Sequence, residues 1–244
     1  SLNGNKRKMI ELFLTPQALF GDYYSRVIEM MSVHSPFPAA QGPGFGSHAR
    51  MRAAVIHAEE TVFFAEIAYR DLQPVDTVEL CAGFGIPSIT LRKQYGVHTL
   101  CVDSDSDKMQ IGSDIAALIG VTLEQERADL FSYLRKHAPA LTGKTLLATA
   151  AYCRDKKKGR PIGTGEKDIV KFARDHRINL ALLPFRSGEV LRSGVSSEQK
   201  RIDEYQNLLS AAGYVTQRHS TRQLPSTRGA PEWFFLDILT AHCT

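Results

Sequence analysis

The sequence is poor in cysteine and has no long hydrophobic run. Its 244 residues include only four cysteines, Cys81, Cys101, Cys153 and Cys243, and no two of them form a C-x-x-C pair. This spacing argues against a disulfide framework or a zinc site, and we expect reduced thiols in a cytoplasmic protein that binds no metal. No apolar run reaches the roughly 18 residues of a membrane span. The apolar segment after the basic N-terminus is short and carries Glu11, which argues against a signal peptide.

A large excess of one charge is also lacking. The chain has 30 Lys and Arg against 26 Asp and Glu, a formal net charge of +4. Apolar residues make up 43% of the chain and charged residues 23%, as in ordinary soluble globular proteins. This balance is compatible with an anionic partner but does not require one.

The chain divides into two regions of different pattern. Residues 1–70 have apolar residues at helical spacing, interrupted at Pro16 and by the segment SPFPAAQGPGFGS, which must be a loop; we interpret this region as an N-terminal helical cap. Residues 71–244 alternate short β-rich runs with helical stretches, which predicts a doubly wound α/β domain. The predicted strands are Thr77–Cys81, His98–Val102, Thr122–Arg127, Thr145–Ala150, Asn179–Leu183, Val215–His219 and Trp233–Thr240.

The last two predicted strands have only a loop between them. Without a crossover helix they should pair antiparallel. We therefore expect a seven-stranded, mostly parallel sheet whose last strand is antiparallel.

A segment with two glycines, TVELCAGFGIPS, includes the first predicted strand and the turn after it. Gly83 and Gly85 lie where nucleotide-binding loops occur in doubly wound folds. Asp103 comes twenty residues after Gly83, at the end of the second predicted strand, where a carboxylate can accept hydrogen bonds from both hydroxyls of a ribose. Nicotinamide-dependent and S-adenosylmethionine-dependent enzymes share these features, so both classes stay open at this point.

Three details separate the two classes. Glu79 lies late in a strand that should be buried on both faces, so its carboxylate needs a cationic or donor partner, such as the ammonium of a bound amino-acid group. Ser88 stands where a dinucleotide motif has its third glycine, which packs under a pyrophosphate. An antiparallel last strand suits a methyltransferase sheet. The details favour S-adenosylmethionine, with an NAD(P)-dependent oxidoreductase using the same loop as the alternative.

On these residues the sequence resembles the class I S-adenosylmethionine-dependent methyltransferases over about residues 50–244. The glycine motif of that superfamily, hydrophobic-hydrophobic-(Asp/Glu)-x-Gly-x-Gly-x-Gly, stands here as TVELCAGFG, with Cys81 in place of the first glycine. The resemblance implies S-adenosylmethionine as cofactor and also allows a catalytically silent relative. It implies cofactor contacts from Glu79, Cys81, Ala82, Gly83, Phe84 and Gly85, from Asp103 and Ser104 at the ribose, and from Asp129 and Leu130 at the adenine.

The acceptor side carries a weaker signal. Enzymes that methylate exocyclic amines of bases often have Asn/Asp-Pro-Pro-Tyr/Phe after the fourth strand, and this chain keeps only the aromatic residue, Tyr152. Tyr152 could stack on a planar acceptor, with packing at the end of the strand as the alternative. It is a candidate both for the cofactor site and for catalysis. His57, on the segment expected to fold over the site, is the other catalytic candidate, with a surface or capping role as the alternative.

A basic segment follows Tyr152. Glycines surround it, so we expect a loop that could contact phosphates. We therefore expect methyl transfer by in-line displacement to a small molecule enclosed by the cap, or to RNA bound by this loop. The basic residues are Arg154, Lys156, Lys157, Lys158 and Arg160, with Arg186, Arg218, Arg222 and Arg228 as further candidates for the same positive rim.

Overall fold

The structure, a computed structural model, describes residues 14–34, 47–149, 164–183, 195–221 and 236–244. Its centre is a seven-stranded sheet in the order β3-β2-β1-β4-β5-β7-β6. The strands β1 to β5 run parallel, and β7 runs antiparallel to both of its neighbours, β5 and β6. The strands are β1 Asp76–Leu80, β2 His98–Asp103, β3 Glu124–Arg127, β4 Thr145–Ala148, β5 Asn179–Leu182, β6 Tyr214–Thr221 and β7 Leu236–Cys243.

Each predicted strand overlaps one of these strands, and the predicted antiparallel last strand is confirmed. The sixth strand is longer than predicted, because Tyr214 to Thr221 pair with β7 along their whole length. The first residues of the last predicted strand, 233–235, lie outside the described residues.

Helices cover both faces of the sheet. The predicted break at Pro16 is confirmed as a helix start: Pro16 is the first helical residue, and the Thr15 hydroxyl accepts a hydrogen bond from the Ala18 N–H. The predicted loop SPFPAAQGPGFGS spans residues 35–47. Residues 35–46 lie outside the described residues, and Ser47 is already the first residue of a helix. No described helix is both long and apolar enough to cross a membrane. The helices are α1 Pro16–Phe20, α2 Tyr24–Val33, α3 Ser47–Leu72, α4 Ile86–Tyr95, α5 Ser106–Leu118, α6 Leu130–His137, α7 Thr164–His176 and α8 Val195–Ser210, with short 3-10 turns at Gly21–Tyr23 and Ala138–Leu141.

The long helix α3 is buried on more than one side. Ala54, Ala58 and Val62 pack in one core cluster with residues of α2, α4 and α5. Phe64 and Ala68 pack in another with residues of β4, β5 and β7. Because α3 is enclosed in this way, even its acidic residues Glu59, Glu60 and Glu66 are buried. The helix runs past the predicted boundary at residue 70, and the division into a cap and a catalytic domain stays a prediction.

The C-terminal end of α3 is tied to the last two strands through Asp71. Its Oδ2 accepts a hydrogen bond from the Thr240 hydroxyl at 2.5 Å and lies 2.6 Å from Nε2 of His219. Thr240 pairs with Ala181 of β5 in the sheet. These contacts fix the end of the helix at the level of the middle of β5.

Candidate cofactor site at the glycine loop

The loop after β1 turns through three residues with left-handed backbone. Cys81, Gly83 and Gly85 have φ of +55°, +54° and +65°, a region that glycine adopts without strain. Gly85 needs to be glycine for a second reason, since a Cβ on it would lie 3.0 Å from Sγ of Cys101 and 3.3 Å from Cδ1 of Leu123. Gly83 and Gly85 therefore allow the left-handed backbone turn of the loop itself.

Cys81 is the unusual member of this turn. It stands where the superfamily motif has glycine, and a side chain in the left-handed region costs about 1–2 kcal/mol. Its carbonyl accepts a hydrogen bond from the Thr149 hydroxyl at 3.5 Å. Thr149 follows β4, so this contact joins the glycine loop to the position where the acceptor-side motif begins. The sequence did not indicate this contact.

Asp103 lies directly against the glycine loop. Its Oδ2 accepts a hydrogen bond from the Gly83 N–H at 2.7 Å, and its Oδ1 accepts one from the Asp105 N–H at 2.8 Å. A carboxylate oxygen has two acceptor positions, so each oxygen keeps one for a ligand hydroxyl. The structure thus brings together the glycines and the acid that the sequence spacing predicted.

Glu79 is fully buried below the loop. Its Oε2 accepts two hydrogen bonds from Ser88, one from the N–H at 2.9 Å and one from the hydroxyl at 2.6 Å. Its Oε1 has no hydrogen-bond partner. Burial, helped by the nearby charge of Asp103 and opposed by the Ser88 hydrogen bonds, raises the pKa of Glu79 to about 8. A buried acid with one oxygen unsatisfied fits a site that receives a positively charged donor.

The end of β3 lies beside the end of β2, because the Ala128 N–H donates to the Asp103 carbonyl at 2.9 Å. Asp129 follows and caps α6, its Oδ1 accepting from the Ser132 N–H at 3.0 Å. Its exposed carboxylate keeps further acceptor positions. Leu130 is buried in the core and Ser104 is exposed. The structure therefore places Asp129, which the resemblance assigns to the adenine, near Asp103 and gives it a helix-capping role.

Phe84, at the tip of the loop, is enclosed between two helices. The His57 ring of α3 meets it edge-on, with ring centroids 5.8 Å apart. On α5, a Cβ at Gly112 would lie 2.5 Å from the Phe84 carbonyl oxygen. His57 is itself buried, so its predicted surface or capping role is wrong: its ring packs against Phe84 of the glycine loop. Gly112 was not predicted; its signal in the sequence is a glycine inside an otherwise regular helix.

Some predicted site residues lie outside the described residues. They are Tyr152, Arg154, Lys156, Lys157, Lys158, Arg160, Arg186, Arg222 and Arg228. Arg218 is described and forms ion pairs with Asp203 at 2.6 Å and Asp237 at 3.5 Å. Within the described part of the chain, no group of three or more His, Cys, Asp or Glu side chains is arranged to hold a metal ion.

The strand order distinguishes this sheet from a dinucleotide-binding sheet. A dinucleotide-binding sheet has the order 3-2-1-4-5-6, whereas here the antiparallel β7 lies between β5 and β6. The fold is that of the class I S-adenosylmethionine-dependent methyltransferases. It is the fold, and not sequence similarity, that relates the chain to known proteins: its sequence matches no protein-family model and no curated protein.

Several solved structures share this class I fold at low sequence identity. Cofactor-bound Rv0187 from MTB has a TM-score of 0.54 at 10% identity, with 92% of each chain covered. The O-methyltransferase TomG from Streptomyces achromogenes, involved in tomaymycin synthesis and solved in complex with SAM, has a TM-score of 0.52 at 9% identity, covering 96% of this chain and 92% of TomG. An O-methyltransferase from Bacillus cereus in complex with SAH has a TM-score of 0.51 at 11% identity, covering 90% of this chain and 91% of its own.

Proposed function

We propose that this protein is an S-adenosylmethionine-dependent methyltransferase that acts on a small molecule. The observation that carries the proposal is the 2.7 Å hydrogen bond from the Gly83 N–H to Asp103, next to the unsatisfied Oε1 of Glu79. Both lie in a sheet whose strand order is that of the class I methyltransferases. The described residues offer both an acceptor pair for ribose hydroxyls and a buried acid for an ammonium. S-adenosylmethionine has both of these groups and no pyrophosphate.

Each residue of the site has a separate task in this proposal. Asp103 would accept hydrogen bonds from the ribose hydroxyls, and Asp129 would accept one from the adenine amino group. Glu79 would hold the ammonium through Oε1, while Ser88 keeps Oε2 in place. The glycine loop lets its backbone approach the ligand closely.

Bound S-adenosylmethionine would supply an electrophilic methyl group on its sulfonium. The chain then has to align the acceptor with that methyl group and keep water away. Thr149, at the carboxyl end of β4 and bonded to the Cys81 carbonyl, lies where an acceptor would meet the loop in this fold, because ligands of open α/β sheets bind at the carboxyl ends of the strands.

Two considerations favour a small-molecule acceptor over RNA. TomG, which has the same fold over most of its chain, is described as an O-methyltransferase of tomaymycin synthesis. The argument for RNA depends on the basic segment from Arg154 to Arg160, which lies outside the described residues. Of the more distant arginines, Arg218 is neutralised by Asp203 and Asp237.

Isothermal titration with S-adenosylhomocysteine and with NADH tests the cofactor. We expect the first to bind and the second not to. Asp103→Asn should weaken S-adenosylhomocysteine binding at least about tenfold, since a charged acceptor of two hydroxyl hydrogen bonds contributes about 1.5–3 kcal/mol. Asp107→Asn, an exposed acid of the same DSDSD segment, is the matched control and should leave the affinity unchanged.

Incubation with methyl-labelled S-adenosylmethionine tests the acceptor. The purified protein is offered a small-molecule extract in one reaction and total RNA in another. Label in the small-molecule fraction supports the proposal, and label in RNA alone overturns the choice of acceptor. Binding without any transfer in either reaction would indicate a catalytically silent relative.

A further inference from the structure

Helix α3 carries two adjacent buried acids, Glu59 and Glu60, close to the glycine loop. His57, in the same helical turn, contacts the ring of Phe84 at the tip of that loop. Glu60 is completely enclosed, and Glu59 is 7% exposed. The turn that carries the acids therefore stands directly beside the candidate cofactor site.

The same turn lies past the carboxyl end of β5. Asp71 is fixed by Thr240 at the level of Ala181, and β5 ends one residue later at Leu182, which is about 3.3 Å farther on. Glu60 precedes Asp71 by eleven residues, which span about 16 Å of helix. Since α3 ends just before β1 begins, it runs from the carboxyl edge of the parallel strands to their amino edge. Its acids therefore lie at the edge where ligands bind in this class of fold.

One of the acids is visibly unsatisfied. The Oε2 of Glu59 is buried and has no hydrogen-bond partner. Burial, followed by the charge of neighbouring Glu60, raises the pKa of Glu59 to about 7. The third buried acid of the helix, Glu66, behaves differently, because its Oε1 accepts a hydrogen bond from the Tyr95 hydroxyl at 2.6 Å. An acid that only supported the fold would be expected to have such a partner.

We propose that the α3 turn with Glu59 and Glu60 is a wall of the cofactor site that receives a positively charged group. This deepens the proposed function and rests on it. S-adenosylmethionine has two such groups, the ammonium and the sulfonium, and the same carboxylates would attract either. A wall of this kind on α3, together with Glu79 below the loop, would surround the cofactor with negative charge from two sides.

Three related ligands distinguish the two cationic groups. S-adenosylmethionine has both, S-adenosylhomocysteine has only the ammonium, and 5′-methylthioadenosine has neither. Glu59→Gln and Glu60→Gln should each weaken the binding of S-adenosylmethionine about tenfold in isothermal titration, and the binding of 5′-methylthioadenosine should not change. An equal loss for S-adenosylhomocysteine identifies the ammonium, and an unchanged affinity for it identifies the sulfonium.

Glu66→Gln is the matched control, because it neutralises a buried acid of the same helix and keeps an acceptor for Tyr95. It should leave all three affinities unchanged. Thermal unfolding at pH 8 is a second readout: removing an unsatisfied buried charge should raise the Tm of Glu59→Gln even as its affinity falls. Wild-type affinities in both variants, or a loss of affinity together with a lower Tm, would overturn the inference and mark the acids as structural. If the wild-type protein itself binds none of the three ligands, the proposed function fails instead.

Discussion

Ser88 donates two hydrogen bonds to one carboxylate oxygen of Glu79, from its backbone N–H at 2.9 Å and from its hydroxyl at 2.6 Å. Ser88 stands where the dinucleotide motif has a glycine, and its hydroxyl therefore holds the carboxylate of Glu79 in β1. With Oε2 satisfied in this way, the proton that Glu79 carries near neutral pH belongs on Oε1, the oxygen without a partner.

Removing the Ser88 hydroxyl should destabilise the protein and do so more at high pH. Ser88→Ala leaves the backbone hydrogen bond but deletes the shorter one, and we expect a loss of about 1–2 kcal/mol in the free energy of unfolding. The loss should grow as the pH rises through about 8, because the hydroxyl stabilises the ionised carboxylate more than the neutral acid. Urea unfolding at pH 7 and pH 9 measures it. Thr122→Ala, at an exposed position, serves as the control, and equal effects of the two substitutions would contradict the prediction.

Binding of the cofactor should release a proton from Glu79. An acid whose pKa is raised in the folded state binds its proton more tightly there than in the unfolded chain. The contribution of Glu79 to the free energy of unfolding is therefore largest below the unfolded pKa and declines as the pH rises toward about 8. A bound ammonium favours the carboxylate and lowers that pKa again. S-adenosylhomocysteine affinity should therefore rise with pH and level off above about 8. Titration calorimetry at pH 7 in two buffers with different heats of ionisation counts the released protons.

Two variants assign the proton release. Glu79→Gln should remove the proton release whose pH dependence is centred near pH 8. Glu59→Gln should change only the release whose pH dependence is centred nearer pH 7. If the release were the same in wild type and Glu79→Gln, the ammonium would not be held by Glu79.

A methyl group at Gly112 should displace the glycine loop at Phe84. Inside a helix, Gly→Ala normally stabilises by about 1 kcal/mol, but here the new Cβ would lie 2.5 Å from the Phe84 carbonyl oxygen. We expect Gly112→Ala to destabilise the protein by about 1–3 kcal/mol and to weaken S-adenosylhomocysteine binding. The control on the same helix is Ala117→Gly at an exposed position, which should cost about 1 kcal/mol without changing the affinity. A stabilised Gly112→Ala would show that the close approach to Phe84 is absent.

Restoring the glycine of the superfamily motif should relieve strain at Cys81. Its φ of +55° costs about 1–2 kcal/mol for a residue with a side chain, and the extra freedom of glycine in the unfolded chain offsets about 0.5–1 kcal/mol of that gain. Cys81→Gly should therefore be between unchanged and about 1.5 kcal/mol more stable, as measured by chemical denaturation. Cys81→Ala keeps the strain and should show no gain.

His98 should stabilise the protein at acidic pH and lose this effect as the pH rises through its raised pKa. Its ring nitrogens lie 3.0 Å from Oδ1 of Asp76 and 3.0 Å from Oε1 of Glu124, and the hydrogen bond to Asp76, followed by that to Glu124, raises the pKa of His98. The contribution is fully present below the unfolded pKa, near 6.5, and is lost as the pH rises through the raised folded value. Because the ring is about half exposed, it should amount to less than about 1 kcal/mol.

Comparison with His98→Gln measures this contribution. The difference in the free energy of unfolding between wild type and variant should be larger at pH 5.5 than at pH 8.5, and it should shrink with added salt. A difference that does not depend on pH would mean that His98 acts through packing alone.

The strands and the order of the site residues could be predicted from the sequence because they depend on local signals. Short β-rich runs mark most of the strands. The spacing from Gly83 to Asp103 reflects a strand–helix–strand unit whose two carboxyl ends meet at one edge, as the 2.7 Å hydrogen bond confirms. Ser88 was singled out for the glycine it replaces. Its hydrogen bonds to Glu79 depend on how α4 packs against β1, and the sequence pattern does not specify that packing.

The buried acids of α3 could not have been predicted in the same way. A pattern analysis assigns Glu59 and Glu60 to the solvent face, since charged residues on a helix are usually exposed. They are buried because α3 packs against other helices through Ala54 and Ala58 and against the sheet through Phe64. The close approach of Gly112 to Phe84 is likewise a contact between distant parts of the chain.

Because α3 is anchored at Asp71, a small rotation at that end would move the far end of the helix by a larger distance. At one end of this span, Asp71 is held by Thr240 and His219. At the other end, fourteen residues or about 21 Å of uninterrupted helix away, the ring of His57 contacts Phe84 of the glycine loop. A tilt of about 5° at the anchor would displace the far end of that span by about 2 Å. If the proposed site is right, the β6–β7 hairpin would, through its contacts to Asp71, help to set the position of the Glu59 and Glu60 turn relative to the glycine loop. Substitutions in that hairpin could retune ligand affinity without touching the ligand.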